Sequence, residues 1–154
     1  YNTFGKPALD GSSLRFNTSH SGGLALFAFA RNRNIGVDLE HIRPDFSSRE
    51  IASQFFSPDE IAALRALPPD AQGRAFFNCW TRKEAFIKAH GSGLSLPLHK
   101  FVVSVDGPAQ LVRIDFDPDA IHQWTLHRLE VAPGFAAALA VEGTPERIQC
   151  WQWE

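Results

Sequence analysis

The chain has no methionine, a single tyrosine and only two cysteines among its 154 residues. A translated reading frame starts with methionine, so an upstream segment, structural in role, is expected to have been cut off or omitted. Cys79 and Cys150 match neither a disulfide-dense scaffold nor a zinc ligand spacing, and a reducing, cytoplasmic setting is expected. Long apolar runs are missing as well. The longest, Gly23 to Ala30 and Phe135 to Val141, fall well short of the roughly 18 residues of a bilayer-spanning helix, and the start lacks the pattern of a secretory signal. No membrane partner is expected. Nor does charge of one sign dominate: 17 acidic against 15 basic side chains leave a net charge of −2, which excludes a polybasic binder of nucleic acid or anionic membranes. Any phosphate site must therefore be built locally.

What is present is ordinary globular composition, 44% apolar and 21% charged, without a fixed-period repeat, a low-complexity tract or a dividing linker. One compact α+β unit is expected. Leu14 to Asn17, Leu24 to Arg31 and Ile35 to Glu40 read as three strands, with Ser19 to Gly23 as the first turn. Ser47 with Glu50 forms a capping box opening a helix from Glu50 to Phe56, and Ser57-Pro58-Asp59-Glu60 repeats the signal for a helix ending near Leu67. Asp70 is placed to cap a long, largely buried helix from Ala71 to about His90, stopped by Gly91. Beyond it, Phe101 to Val105, Gln110 to Phe116, Trp124 to Val131, Phe135 to Val141 and Arg147 to Trp153 read as an antiparallel meander with turns at Asp106-Gly107 and Pro133-Gly134.

Three groups of residues carry chemistry. Asp38 and Glu40 are two apart in a strand and share a face, where they repel each other unless a cation such as Mg²⁺, or simply solvent, lies between them. Trp80, Glu84 and Lys88 recur at every fourth residue and line one stripe of the long helix, as a functional acid and base or as an exposed ion pair. Asn17 to Gly23 sets a hydroxyl, an imidazole and glycines where a strand turns, either a cradle for phosphate or a turn stabilised by His20. Ser19 and His20 are adjacent in the chain and so point to opposite faces, which places them poorly as a nucleophile and its base.

Taken in order, Gly5-Lys6-Pro7, Phe16 to Gly22, Ile35-Gly36-Val37-Asp38-Leu39-Glu40 and Trp80-Thr81-Arg82-Lys83-Glu84-Ala85-Phe86-Ile87-Lys88 resemble the motifs of 4'-phosphopantetheinyl transferases of the surfactin-synthetase type. Phe55 to Glu60 and Gly91 to Leu98 are similar to further family segments. The resemblance implies the phosphopantetheinyl transferase fold: an antiparallel sheet packed on a long helix, one full half of a pseudo-twofold architecture plus the end of the other. Residues 1–34 would end the N-terminal half and residues 35–154 would form the C-terminal half with the metal-binding motifs. Much of the first half is absent from the sequence, so a separate N-terminal fragment or a second copy is expected to cover the gap.

The resemblance also implies Mg²⁺-dependent transfer of 4'-phosphopantetheine from coenzyme A, the co-substrate, to a serine of an acyl or peptidyl carrier protein, with release of adenosine 3',5'-bisphosphate. The alternative is a non-catalytic fragment that binds coenzyme A or the carrier. By motif match, Asp38, Glu40 and Glu84 would hold the metal, Glu40 directly or through water. Glu84 would be the base and Lys88 would sit beside phosphate. Ser19 and His20 would contact the coenzyme A phosphates, Lys6 and Pro7 would line its adenylate end, and Glu60 matches a further acidic position that helix capping explains equally well.

Overall fold

Gly22 and Gly23 both have positive φ, 53° and 82°, the conformation that closes a two-residue hairpin without splaying its strands. They join β1 (Leu14–Ser21) to β2 (Leu24–Arg31), which pair antiparallel with Ser21 opposite Leu24. The turn is thus shorter than the sequence implies, and Ser19 and His20 lie in a strand. The computed structural model describes residues 6, 9, 11–44, 46 and 48–153; Gly5, Pro7 and the Ser47 half of the first capping box lie outside them. β3 (Ile35–His41) follows, and its alternation directs Gly36, Asp38 and Glu40 to one face and Ile35, Val37 and Leu39 to the other.

Three helices come next: α1 (Ser48–Phe55), α2 (Pro58–Ala66) and α3 (Pro69–His90). The capping box of α2 is complete, with Glu60 N donating to Ser57 Oγ at 3.2 Å and Ser57 N donating to Glu60 Oε2 at 2.8 Å. Asp70 does not cap α3. Pro69 has the fixed φ that a first helical position needs, so the helix begins on Pro68 and Asp70 falls inside its first turn. Gly91, at φ 82°, ends α3 in the left-handed conformation as expected. Along α3 every residue from Ala75 to Ala89 is buried except Trp80, Glu84 and Lys88, which are half-buried along one stripe.

The remaining strands are β4 (Phe101–Val103), β5 (Leu111–Ile114), β6 (Trp124–Arg128) and β7 (Phe135–Glu142). They do not form one meander: among the described residues β4 pairs only with β5, whereas β7 lies between β3 and β6. Arg147 to Trp153 forms no strand. Its apolar residues suit a pleated surface, but among the described residues no strand runs alongside to pair with it, and Trp151 and Trp153 are 82% and 97% exposed.

The β3-β7-β6 sheet is built to take α3 at close range. On its helix-facing side Gly36, Asp38 and Glu40 stand opposite Ala140, Ala138 and Ala136. At Gly36 a Cβ would overlap the carbonyl oxygen of Ala85 and the amide nitrogen of Ala89, so only glycine lets the helix backbone approach here. Phe86 fills the core between Phe101 and Trp124, while Phe56, Phe76 and Trp80 stack between α3 and the shorter helices. On the other side of β3, Ile35, Val37 and Leu139 pack against Leu26, Ala28 and Ala30 of the hairpin.

A fully buried ion pair locks α2 to α3, Lys83 Nζ lying 2.7 Å from Glu60 Oε1. Lys83 also donates to the carbonyls of Leu98 at 2.8 Å and Phe101 at 2.6 Å, and Glu60 Oε1 accepts from Val103 N at 2.8 Å. Burial pushes the Lys83 amine down, and the Glu60 carboxylate counters it. Glu60 is therefore a capping and core residue, with its charge committed to Lys83.

Candidate functional site

The seam between β3 and α3 gathers the acids singled out in the sequence. Asp38, 4% exposed, projects from the strand toward α3, and Lys88 Nζ meets it, 2.7 Å from Asp38 Oδ1 and 3.1 Å from the carbonyl oxygen of Val37. Ser19 Oγ donates to the same Asp38 Oδ1 at 3.0 Å. Asp38 Oδ2 is buried and, among the described residues, has no hydrogen-bond partner. Such an orphaned carboxylate oxygen is costly unless a cation or a proton occupies its lone pairs.

Electrostatics ties Glu40 and Glu84 to Asp38. Burial raises the Asp38 carboxyl above the ordinary carboxylate range, against the pull of Lys88 and of hydrogen bonds from Ser19 and the backbone. Glu40 is raised by burial and then by the charge of Asp38, and Ser21, Arg43 and Lys88 act the other way. Glu84 is raised by burial and then by Asp38, with Lys88 opposing and Glu40 adding to the rise. Burial thus penalises ionisation of all three acids, and at Glu40 and Glu84 the charge of Asp38 adds to that penalty.

The donor set is all carboxylate, the type that hard divalent cations such as Mg²⁺ prefer, and the orphaned Asp38 Oδ2 supplies a ready ligand. Among the described residues no three acidic, histidine or cysteine side chains are already converged around one point as a metal cage. Glu40 and Glu84 are half-buried, each within electrostatic reach of Asp38. The residues present fit a divalent cation on chemistry and on the unsatisfied oxygen.

The other candidates are more dispersed. Ser21 and Ser19 face β3, whereas His20 is exposed on the opposite face of β1. Lys6 Nζ donates to the carbonyl of Ala89 at 2.9 Å near the end of α3. Its amine is pushed down to about 8 by burial and by Arg15, against Glu142. Pro7 lies outside the described residues. Glu60 is turned into the core and does not join the three acids.

Two features escaped the sequence reading. The first is the burial of Lys83, whose signal is a lysine on a helix face otherwise made of Phe76, Phe86 and Ile87. The second is Ser21, whose hydroxyl donates to Glu40 Oε2 at 3.2 Å. Its signal is the two-residue spacing that it shares with Ser19, matching the spacing of Glu40 and Asp38.

The fold, a long helix packed on an antiparallel sheet, is one this chain shares with solved structures. The family model of the 4'-phosphopantetheinyl transferase superfamily matches residues 34–140. The 4'-phosphopantetheinyl transferase HetI of Nostoc sp. (strain PCC 7120) is 36% identical over 99% of this chain and 64% of its own length. Sfp of Bacillus subtilis, also a 4'-phosphopantetheinyl transferase, is 40% identical over 98% of this chain and 66% of its own length. The chain thus spans about two-thirds of the length of these relatives. Among solved structures, the holo-[acyl-carrier-protein] synthase of Thermotoga maritima superposes with a TM-score of 0.55 at 21% identity, over 73% of this chain and 64% of that one. A complex of the Chronobacterium ammoniagenes synthase with coenzyme A gives 0.54 at 22% identity, over 73% of this chain and 98% of that one, and at such identities the likeness is one of fold. The chain belongs to the 4'-phosphopantetheinyl transferase superfamily.

Proposed function

We propose that this chain transfers 4'-phosphopantetheine from coenzyme A to a serine of an acyl or peptidyl carrier protein, with Mg²⁺, and releases adenosine 3',5'-bisphosphate. The observation that carries the reading is Asp38 Oδ2, a buried carboxylate oxygen without a partner, beside Glu40 and Glu84 in a family member. The relatives named as transferases and the solved synthase with coenzyme A support the substrate class.

Asp38, Glu40 and Glu84 would hold the cation. When bound, Mg²⁺ would screen the pyrophosphate from these carboxylates and stabilise charge on the leaving group. The work of the chain's own residues follows from their positions. Lys88 opposes the rise of the Asp38 carboxyl through the 2.7 Å pair, and that of the Glu84 carboxyl as well. Burial sets Glu84 above the ordinary carboxylate range, and a base is most effective as its pKa approaches the working pH. Glu84 would take the proton of the carrier serine, directly or through one water, as its oxygen forms a bond to the phosphorus of the pantetheine side. The bond from that phosphorus to the bridging oxygen breaks, and the electron pair leaves with adenosine 3',5'-bisphosphate.

Ser19, His20, Lys6, Pro7 and Lys88 are proposed to contact coenzyme A. Residues 1–34 are read as the end of a first half and residues 35–154 as the second half. The outer face of the β1–β2 hairpin leaves Phe27 and Phe29 62% and 61% exposed, and we assign to that face the cover of a separate N-terminal fragment or a second copy. The setting is proposed to be cytoplasmic; among the described residues no helix is long and apolar enough to cross a membrane.

Chromatography of the nucleotide product tests the reading. Adenosine 3',5'-bisphosphate should accumulate only when the chain, coenzyme A, Mg²⁺ and an apo carrier protein are all present. Release without the carrier would make the chain a hydrolase. Binding of coenzyme A with no release would make it a non-catalytic fragment.

A further inference from the structure

β1 meets β3 through its side chains, in a repeating unit. Ser19 Oγ accepts the amide N–H of Leu39 at 3.1 Å and donates to Asp38 Oδ1 at 3.0 Å. Two residues on, Ser21 Oγ accepts the amide N–H of His41 at 3.0 Å and donates to Glu40 Oε2 at 3.2 Å. Asn17 Oδ1 extends the series by accepting from Val37 N at 2.8 Å. Polar side chains thus satisfy the β3 amides that do not face β7, where a further strand would otherwise pair. The direction of these bonds is forced. An amide N–H only donates, so each serine oxygen must accept it, and the one hydroxyl proton is left for the carboxylate.

We propose that Ser21 is a positioning residue for Glu40, as Ser19 is for Asp38, and that the two hydroxyls decide which carboxylate oxygens face the metal. At Asp38 the assignment is visible: Ser19 and Lys88 both occupy Oδ1, and Oδ2 is the oxygen left without a partner. At Glu40 the Ser21 hydroxyl occupies Oε2 and assigns Oε1 to the ligand side. Asp38 has Lys88 as a second anchor, whereas among the described residues Glu40 takes its side-chain hydrogen bond from Ser21. Ser21 therefore carries more of the orientation at Glu40 than Ser19 does at Asp38. The inference rests on the metal reading proposed above. Hydroxyls that orient a ligating carboxylate commonly change metal affinity when removed.

The test is Mn²⁺ binding, followed by electron paramagnetic resonance at fixed pH on the whole chain, with thermal unfolding recorded for each variant. Ser21→Ala should bind Mn²⁺ roughly tenfold more weakly than wild type, and Ser21→Thr, which keeps the hydroxyl, should stay within about twofold. A purely structural role would lower thermal stability without this dependence on the hydroxyl. If Ser21→Ala does not fold, Ser21→Val replaces it as the match in shape to threonine. Wild-type affinity in a folded Ala or Val variant, or an equal loss in Ser21→Thr, overturns the assignment of Ser21. Absence of Mn²⁺ binding by the wild type overturns the metal reading itself, and the role of Ser21 with it.

Discussion

Lys88 is bonded to Asp38 across the α3–β3 seam at 2.7 Å, and not to Glu84, its neighbour one turn back on the same helix. The ordinary helical pairing of Glu84 with Lys88 is thus replaced by a tie between helix and strand. That tie occupies one oxygen of Asp38, leaves the other without a partner and leaves Glu84 half-buried beside two further acids.

The acid cluster makes stability depend on pH in a definite direction. The Asp38, Glu40 and Glu84 carboxyls are all raised, so between the ordinary carboxylate values near 4 and the raised ones the folded state binds more protons than the unfolded. Their contribution is therefore most favourable at low pH and is lost as pH rises through that window. Thermal unfolding in EDTA should show this loss, and Mg²⁺ should reverse it at pH 7 while having little effect near pH 4. Stabilisation by Mg²⁺ that is equal at both values would contradict the assignment.

Replacing Glu84 by Gln should leave the fold intact and lower transfer by roughly a hundredfold or more, the scale of a lost general base. The thermal midpoint in EDTA should rise, because one member of a repelling set is removed. Circular dichroism, thermal unfolding and an initial-rate assay on the same preparation check the three outcomes together.

Lys83→Ala should destabilise the protein by about 3–5 kcal/mol, the usual penalty for stranding the partner of a buried ion pair. Glu60 would lose its counter-charge, and the carbonyls of Leu98 and Phe101 would lose their donor. Urea unfolding measures the change. A loss below about 1 kcal/mol, the range of an exposed pair, would contradict the role given to this bridge.

At Gly36 the prediction is steric. Ala at this position drives a methyl group into the α3 backbone at Ala85 and Ala89, so the helix must move off the strand. A cost of about 1–3 kcal/mol or more is expected from overpacking. Moving the helix also parts Lys88 from Asp38, so Mg²⁺ stabilisation should fall along with the midpoint. Gly73→Ala, where a Cβ has open space, is the control and should be close to neutral or slightly stabilising.

Much of this was legible before the structure, for local reasons. The α+β class, the second capping box, the glycine stop at Gly91 and the stripe of Trp80, Glu84 and Lys88 follow from short-range rules of spacing and turn chemistry. Asp38 and Glu40 share a face because strands alternate. What stayed hidden depends on residues far apart in the chain. Lys88 meets Asp38 from 50 residues away, and Ser21 meets Glu40 from 19. The segment from Arg147 to Trp153 reads as a strand but, among the described residues, has no neighbour to pair with, and sequence pattern cannot supply a partner. The break between β4–β5 and β6–β7 is likewise a matter of which edges meet, which consecutive order along the chain does not decide.

The most direct measurement is intact-mass spectrometry of an apo carrier protein after incubation with this chain, coenzyme A and Mg²⁺, with EDTA replacing Mg²⁺ in a parallel sample. One phosphopantetheine is expected on the carrier with Mg²⁺ and none with EDTA. A carrier that stays unmodified with Mg²⁺, or is modified to the same extent in EDTA, would contradict it.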